Sequence, residues 1–271
     1  MHETVGEVAH RYLELVDEAL PGRVGGLYLV GSVALDDYRP GQSDVDFLAV
    51  GDEAWGEDDV AVVSAVHETL AEGVPGETFE GSYVTWAQLA ASPDAIDPVL
   101  GVHDGMVRVG TDGVSPVHWH TLAQAPVAVR GPAAPEVWTD VAALRGWVRR
   151  NLDEYWAGWV ARQHKLMGRG TMLLGDWAVA WGVLGIPRLH YTLATGAVTS
   201  KSGAGEYALG AFGEEWAPIL VEALRLRRED GEQSEDYRRR PLTRRRDALA
   251  FMDHVLADAA TRFPAPDAPP A

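Results

Sequence analysis

The stretch GSVALDDYRPGQSDVDFLAV at residues 31–50 decides the fold of the N-terminal half. Just before it, the apolar residues Leu27–Val30 predict a short buried strand that ends at Gly31. At its end, Val45–Val50 predicts a second strand, and the turn-rich residues between the two predict a loop. A strand, a Gly-Ser turn, a loop and a second strand beginning at Asp-x-Asp therefore follow one another in order.

This order of residues indicates phosphate chemistry. Gly31-Ser32 can present backbone N–H groups and a hydroxyl to a phosphate, because glycine lets the backbone approach closely. Asp44 and Asp46 are two apart on a strand, so their carboxylates point to the same face. Paired carboxylates together with phosphate oxygens are a usual way to hold Mg²⁺. The sequence therefore predicts phosphoryl or nucleotidyl transfer.

The flanking sequence predicts an α/β (α+β) domain over residues 1–131. Apolar spacing predicts helices at 3–20 and 58–72, and residues 78–86, TFEGSYVTW, predict a third strand. This strand carries Glu80, a carboxylate that can act as general base beside the aspartate pair. The alternative is that Glu80 is an edge-strand charge that prevents aggregation.

Beyond residue 132 the apolar spacing becomes helical, which predicts an all-α helical bundle over 132–262. The expected helices cover 136–166, 171–184, 186–195, 199–211, 215–229 and 240–261. The run RRRPLTRRR at 238–246 is interpreted as a solvated helix face. The last residues, FPAPDAPPA at 263–271, predict a disordered tail.

Composition and charge exclude several classes of protein. The 271 residues have a net charge of −17, and residues 1–130 carry all of it, with 22 acidic and 5 basic side chains. Such a field repels nucleic acids and anionic membranes and attracts metal ions and small cationic molecules, although an acidic surface can also serve solubility alone. Cysteine is absent, which excludes thiolate sites, and no secretory signal or membrane span is evident. We expect a cytoplasmic monomer.

This part of the sequence resembles the motif of the nucleotidyltransferase superfamily related to DNA polymerase β. The resemblance lies in Gly-Ser, the ten residues between Ser32 and Ser43, and Asp-x-Asp. They resemble most closely the antibiotic adenylyltransferases of the streptomycin/spectinomycin type. The resemblance implies transfer of AMP from ATP to a hydroxyl of an aminoglycoside or aminocyclitol, with Asp44 and Asp46 as catalytic Mg²⁺ ligands. It also implies that Glu80 is the catalytic base and that Gly31, Ser32 and Ser43 bind the nucleotide.

A second resemblance lies in the helical half, in PRLHYTLATGAVTSK at 187–201. It implies that Thr192 and Lys201 contact ATP, and Lys201 is one of only two lysines in the chain. The family's antibiotic-binding Asp and His fall at Ala178 and Trp181, so we expect Trp181 and the nearby carboxylate of Asp176 to bind the substrate. A family tyrosine near the nucleotide corresponds to Arg227, whose role stays open.

Two other functions remain as alternatives. One is a minimal nucleotidyltransferase of a toxin–antitoxin pair that acts on a protein partner, and the other is a regulator that binds nucleotide without turnover. The three acidic residues argue against the second alternative. His118 and His120 in the HWH triplet would share one face of an extended segment, where a loop histidine pair is a simpler interpretation than a metal site.

Overall fold

The computed structural model describes residues 2–74, 76–110, 113–165 and 168–265, and it divides into two compact units, Met1–Asp140 and Val141–Ala271. The boundary lies later than the expected one after residue 131. Residues 131–140 stay with the first unit because Trp138 donates its backbone N–H to the carbonyl of Leu89 at 3.0 Å, and Val137 packs against the same core. The structure therefore divides the chain after residue 140.

The first unit contains a six-stranded sheet with the strand order β5-β4-β3-β2-β1-β6. Only the pairing of β2 with β3 is parallel, so the sheet is mixed and the expected fold class is confirmed. The strands are β1 Gly26–Leu29, β2 Val45–Gly51, β3 Phe79–Thr85, β4 Val99–His103, β5 Met106–Gly110 and β6 Val127–Arg130. The helices of this unit are α1 Glu3–Ala19, α2 Gly31–Ala34, α3 Val60–Gly73, α4 Trp86–Leu89 and α5 Pro116–Gln124.

Alternate residues of β2 are buried on opposite faces of the sheet. On β2, Val45 and Phe47 point into a core shared with α1 and α3, while Leu48 and Val50 point into a second core shared with α4 and α5. Asp46 belongs to the second face by alternation but is only half-buried. The second core therefore does not extend to the start of β2, where a polar side chain lies on this face instead.

The second unit is helical, as the apolar spacing predicted, with α6 Val141–Asn151, α7 Ala157–Gln163, α8 Asp176–Thr195, α9 Lys201–Ala211, α10 Ala217–Arg228 and α11 Pro241–Arg262. The expected break near residue 185 is wrong, because Pro187 lies inside the continuous helix α8. That helix ends at Gly196, whose φ of +77° is the left-handed conformation that glycine favours at a helix end. Among the described residues, no helix has the length and apolar character needed to cross a membrane.

The arginine-rich run is solvated only in part, because Arg238 and Arg246 are exposed whereas two of its other arginines are not. Arg244 and Arg245 on α11 are buried, at 5% and 8% exposure. Arg244 pairs with Asp176 at 2.7 Å and with the buried Glu222 at 3.3 Å, and Arg245 donates to the carbonyl of Gln163. A charged side chain is buried only where partners compensate for lost hydration, and the sequence pattern gave no sign of those partners.

The C-terminal end of the described chain is packed. The ring of Phe263 lies 5.4 Å from the ring of the buried His190. Phe263 therefore belongs to the helical unit rather than to a tail. The disorder expected for 266–271 lies outside the described residues.

A buried histidine makes the stability of the first unit depend on pH. Tyr12 donates to the Tyr83 hydroxyl at 3.0 Å, and that hydroxyl lies 2.9 Å from Nε2 of His67 on α3. Burial lowers the pKa of His67 from 6.5 to about 4, because desolvation disfavours the charged imidazole. Between pH 6.5 and 4 the unfolded chain binds a proton on His67 that the folded chain does not bind. The free energy of unfolding therefore does not depend on His67 above pH 6.5, and it falls as the pH is lowered from 6.5 to 4.

We expect the first unit to lose about 3 kcal/mol of stability between pH 6.5 and pH 4 through His67. Hydrogen exchange of the amides of β1 to β3 measures the unfolding of this unit alone. His67→Gln keeps a hydrogen-bonding group and does not titrate, so it should flatten this pH dependence, whereas His10→Gln at the exposed surface of α1 should not. An unchanged pH slope in His67→Gln would contradict the assignment.

Candidate active site

Three carboxylates lie together at one end of the first unit's sheet. Asp46 on β2 and Glu80 on β3 are direct partners in the parallel register, so both side chains point to the same face. Asp44 precedes β2 by one residue and is exposed. All three line one cavity of about 410 Å³. The structure therefore brings together the three acidic residues that the sequence singled out.

The Gly31-Ser32 pair lies directly beside Asp46. Gly31 begins the short helix α2 with a φ of +59°, a left-handed conformation that strains any other residue. A Cβ added to Gly31 would lie 1.9 Å from Oδ2 of Asp46, so only glycine allows this close approach. The Oγ atom of Ser32 is buried and has no hydrogen-bond partner within the part of the chain that the structure describes.

The loop between the two motifs is held by its own polar contacts. The N–H of Asp37 donates to the carbonyl of Ser32 at 2.9 Å, and Arg39 lies 3.7 Å from the buried carboxylate of Asp37. Ser43, expected to bind nucleotide, accepts a hydrogen bond on its Oγ from the N–H of Arg39 at 3.1 Å. Its hydroxyl therefore shapes the loop that leads to Asp44.

The cavity also contains cationic and polar groups that the sequence did not assign to this site. Arg108 on β5, His103 on β4 and His118 on α5 are among its lining residues. Arg108 lies between Val107 and Val109, which pack against the first core, and this alternation was the signal that could have placed it on the opposite face. Ser82, next but one to Glu80, is 1% exposed, and its Oγ has no partner among the described residues. The site is less uniformly acidic than the composition suggested.

The histidine triplet does not form a metal pair. His118 and His120 lie on the helix α5 and not on an extended segment, so two residues apart they point to different sides. Nδ1 of His118 lies 3.0 Å from the Ser115 hydroxyl, and Nε2 of His120 lies 3.2 Å from the carbonyl of Asp140. Over residues 2–74, 76–110, 113–165 and 168–265, no cluster of three or more acidic or histidine side chains could hold a metal ion.

Two residues of the helical unit were expected to contact ATP. Lys201 is the first residue of α9, and Ser200 caps this helix by accepting from the N–H of Gly203 at 3.0 Å. A lysine at a helix N-terminus is unfavourable for the helix dipole, so its position is not explained by helix stability. Thr192 is 4% exposed, and its hydroxyl donates to the carbonyl of Arg188 at 3.1 Å.

The two residues expected to bind the acceptor both lie on α8. Asp176 is the first residue of that helix, is largely exposed and forms the ion pair with Arg244. Trp181 belongs to a group of aromatic rings, with Trp156 at 4.4 Å and Trp177 stacked at 5.6 Å. Arg227, whose role was left open, is buried at 4% exposure on α10.

These features together are typical of the class of nucleotidyltransferases. They are a mixed sheet, a Gly-Ser pair at a helix start, Asp-x-Asp at the beginning of one strand and a third carboxylate on its parallel neighbour. Residues 10–74 match the family model of the nucleotidyltransferase domain. Residues 175–251 match the model of the aminoglycoside adenylyltransferase C-terminal domain, and this order of the two domains supports an aminoglycoside adenylyltransferase. It is an enzyme, a nucleotidyltransferase of that type.

A solved structure has a similar fold. The crystal structure of spectinomycin adenyltransferase AAD(9) from Enterococcus faecialis, with ATP and spectinomycin, matches with a TM-score of 0.62. The sequence identity is 13%, and the match covers 93% of this chain and 98% of that chain. No curated protein matches at a significant level. Together with the C-terminal family match, this likeness favours a two-domain enzyme over a minimal nucleotidyltransferase.

Proposed function

We propose that this enzyme transfers AMP from ATP to a hydroxyl group of an aminoglycoside or aminocyclitol and releases pyrophosphate, with Mg²⁺ as cofactor. The observation that carries the proposal is the cross-strand pair of Asp46 and Glu80 beside Gly31-Ser32 in one cavity. This arrangement offers a cation site, a phosphate-binding backbone and a base to the same reacting atoms.

Asp44 and Asp46 are the proposed Mg²⁺ ligands. Mg²⁺ prefers oxygen ligands and usually takes one or two carboxylates together with phosphate oxygens and waters, so two aspartates suffice. The Oγ atom of Ser32 is buried without a partner among the described residues, and it lies next to the glycine that touches Asp46, so it fits a phosphate oxygen bound at that point. When bound, Mg²⁺ would neutralise negative charge on the triphosphate and on the leaving pyrophosphate.

The proposed reaction is an in-line displacement at the α-phosphorus of ATP. The acceptor hydroxyl oxygen forms a new P–O bond, the bond from the α-phosphorus to the oxygen that bridges it to the β-phosphate breaks, and pyrophosphate leaves. Glu80 takes the hydroxyl proton, as a carboxylate on the strand adjacent to the metal pair can do. Ser32 donates to a phosphate oxygen and so holds the reacting group in position.

The helical unit supplies the remaining proposed contacts. Lys201 carries a positive charge for the triphosphate, at a helix start where that charge does not stabilise the helix. Thr192 is proposed to contact ATP through its hydroxyl oxygen, which keeps acceptor capacity beside its bond to Arg188. Asp176 and Trp181 are proposed for the acceptor, because a carboxylate and an indole ring both attract an ammonium group.

The neighbouring structure was crystallised with ATP and spectinomycin, which supports a small antibiotic as acceptor. The test incubates the full chain with Mg²⁺, each nucleoside triphosphate in turn, and a panel containing spectinomycin, streptomycin and related aminocyclitols and aminoglycosides. We expect a mass increase of one AMP on at least one antibiotic, with ATP as the donor. Acceptor affinity should also fall with rising salt, because the attraction is between charges near the surface.

The same panel without Mg²⁺ is the control and should give no adduct. If no panel member gains AMP while a helical protein partner is adenylylated, the small-molecule function fails and the toxin–antitoxin type of function replaces it. A nucleotide other than ATP as sole donor would overturn the AMP assignment alone.

A further inference from the structure

Both oxygens of the Glu80 carboxylate accept hydrogen bonds from the turn that joins β4 to β5. The backbone N–H of Asp104 donates to Oε1 at 2.7 Å, and Nδ1 of His103 lies 3.0 Å from Oε2. Because an ionised carboxylate can only accept, Nδ1 is the ring nitrogen that carries the proton. The base proposed for catalysis is thus held by two donors of adjacent residues.

The turn has a defined geometry that directs these donors. Asp104 and Gly105 have φ values of +49° and +70°, and His103 pairs with Met106 across the hairpin. Asp-Gly with two positive φ angles is typical of the type I′ turn that closes a two-residue β-hairpin. The turn holds the Asp104 N–H outside the ladder of β4 and β5, where Glu80 accepts from it.

The exposures of the two partners are unequal. The Glu80 side chain is 11% exposed, whereas that of His103 is 62% exposed. Polar contacts rather than packing therefore orient the His103 ring, because Nδ1 lies 3.0 Å from Oε2 of Glu80 and Nε2 lies 3.7 Å from the exposed carboxylate of Asp104. His103 is also one of the residues that line the cavity.

We propose that the β4–β5 turn is a positioning device for Glu80 and that His103 is a positioning residue in it. The two donors fix the side-chain rotamer and the plane of the carboxylate, so one orientation meets the acceptor hydroxyl. This inference rests on the proposed role of Glu80 as base. Misplacement of a reacting group by about 1 Å can cost about 100-fold in rate, so a lost donor has a measurable effect.

Positioning and simple tuning of base strength predict opposite results. A hydrogen bond donated to a carboxylate stabilises its charged form and weakens it as a base. If His103 acted only in that way, its removal would leave the rate unchanged or raise it. If it positions Glu80, its removal lowers kcat.

The experiment compares His103→Ala and His103→Asn, with Met106→Ala as a control on the same hairpin, where Met106 is 58% exposed and does not line the cavity. We expect His103→Ala to lower kcat by about 10- to 100-fold with KM for ATP within about twofold of wild type. The asparagine amide can donate from nearly the same place and should restore kcat to within about threefold. In the double variant, His103→Ala should not lower kcat below the value of Glu80→Gln alone.

A second measurement does not depend on turnover. Nitrogen-15 NMR of the His103 ring should show the proton on Nδ1 in the wild type and a loss of that preference in Glu80→Gln. The inference is overturned if the nitrogen-15 signal of the His103 ring is the same in Glu80→Gln as in the wild type, or if His103→Ala keeps the wild-type kcat. If Glu80→Gln itself retains full transfer, the proposed base fails, while the ring signal still tests the contact.

Discussion

Asp46→Asn should remove transfer almost completely while leaving the fold intact. Asparagine keeps the size of aspartate, but it removes the charge that would hold Mg²⁺ beside the phosphates. Metal ions contribute several kcal/mol to the stabilisation of transition-state charge, so we expect a loss of at least about 10³-fold in kcat/KM, or about 4 kcal/mol. Transfer to the antibiotic that wild type modifies best, read by mass, measures this loss.

The same variant should not be less stable. Asp46 and Glu80 are cross-strand partners, and two neighbouring carboxylates repel each other when no cation lies between them. Removing one charge should leave Tm unchanged or raise it in metal-free buffer, as is common for residues kept for function. Asp52→Asn, which alters an exposed carboxylate after β2, is the matched control. An Asp46→Asn enzyme with more than a tenth of wild-type activity would contradict the metal assignment, and Asp44→Asn tests the partner in the same way.

The central motif could be predicted from the sequence because local patterns carry it. Strand alternation predicted a common face for Asp44 and Asp46, and the apolar runs on either side predicted the strands β1 and β2. That Glu80 faces Asp46 could not be derived from spacing, because it depends on β2 and β3 being parallel neighbours in one particular register. The family resemblance supplied that step.

Other features were missed because their causes are tertiary. The spacing of residues in the HWH triplet does not distinguish a short helix from a strand. Pro116 favours a helix, because proline is common at the first position of a helix, and it lies at the start of α5. Arg244 resembled a surface residue until Glu222 and Asp176 were found around it. His103 stands in no motif of its own, although Asp104-Gly105 is a strong hairpin signal that places His103 at the end of a strand.

Glu80→Gln should separate binding from chemistry. Glutamine keeps the shape of glutamate and can still accept from the Asp104 N–H through its carbonyl oxygen, so the β4–β5 turn should stay in place. The amide cannot take a proton from the acceptor hydroxyl, and general base catalysis contributes about 10²- to 10⁴-fold. We therefore expect kcat to fall by about 10³-fold, while the Kd values for ATP with Mg²⁺ and for the acceptor stay within about threefold of wild type.

Calorimetric titration measures the two Kd values, and single-turnover transfer measures the chemical step. Glu72→Gln, an exposed position on α3, is the matched control and should retain wild-type values. If Glu80→Gln weakened ATP binding as strongly as it lowered kcat, Glu80 would be a nucleotide or metal ligand instead of the base. Because Glu80 lies directly across from Asp46, these two roles are the ones its position allows, and the ratio of the two effects decides between them.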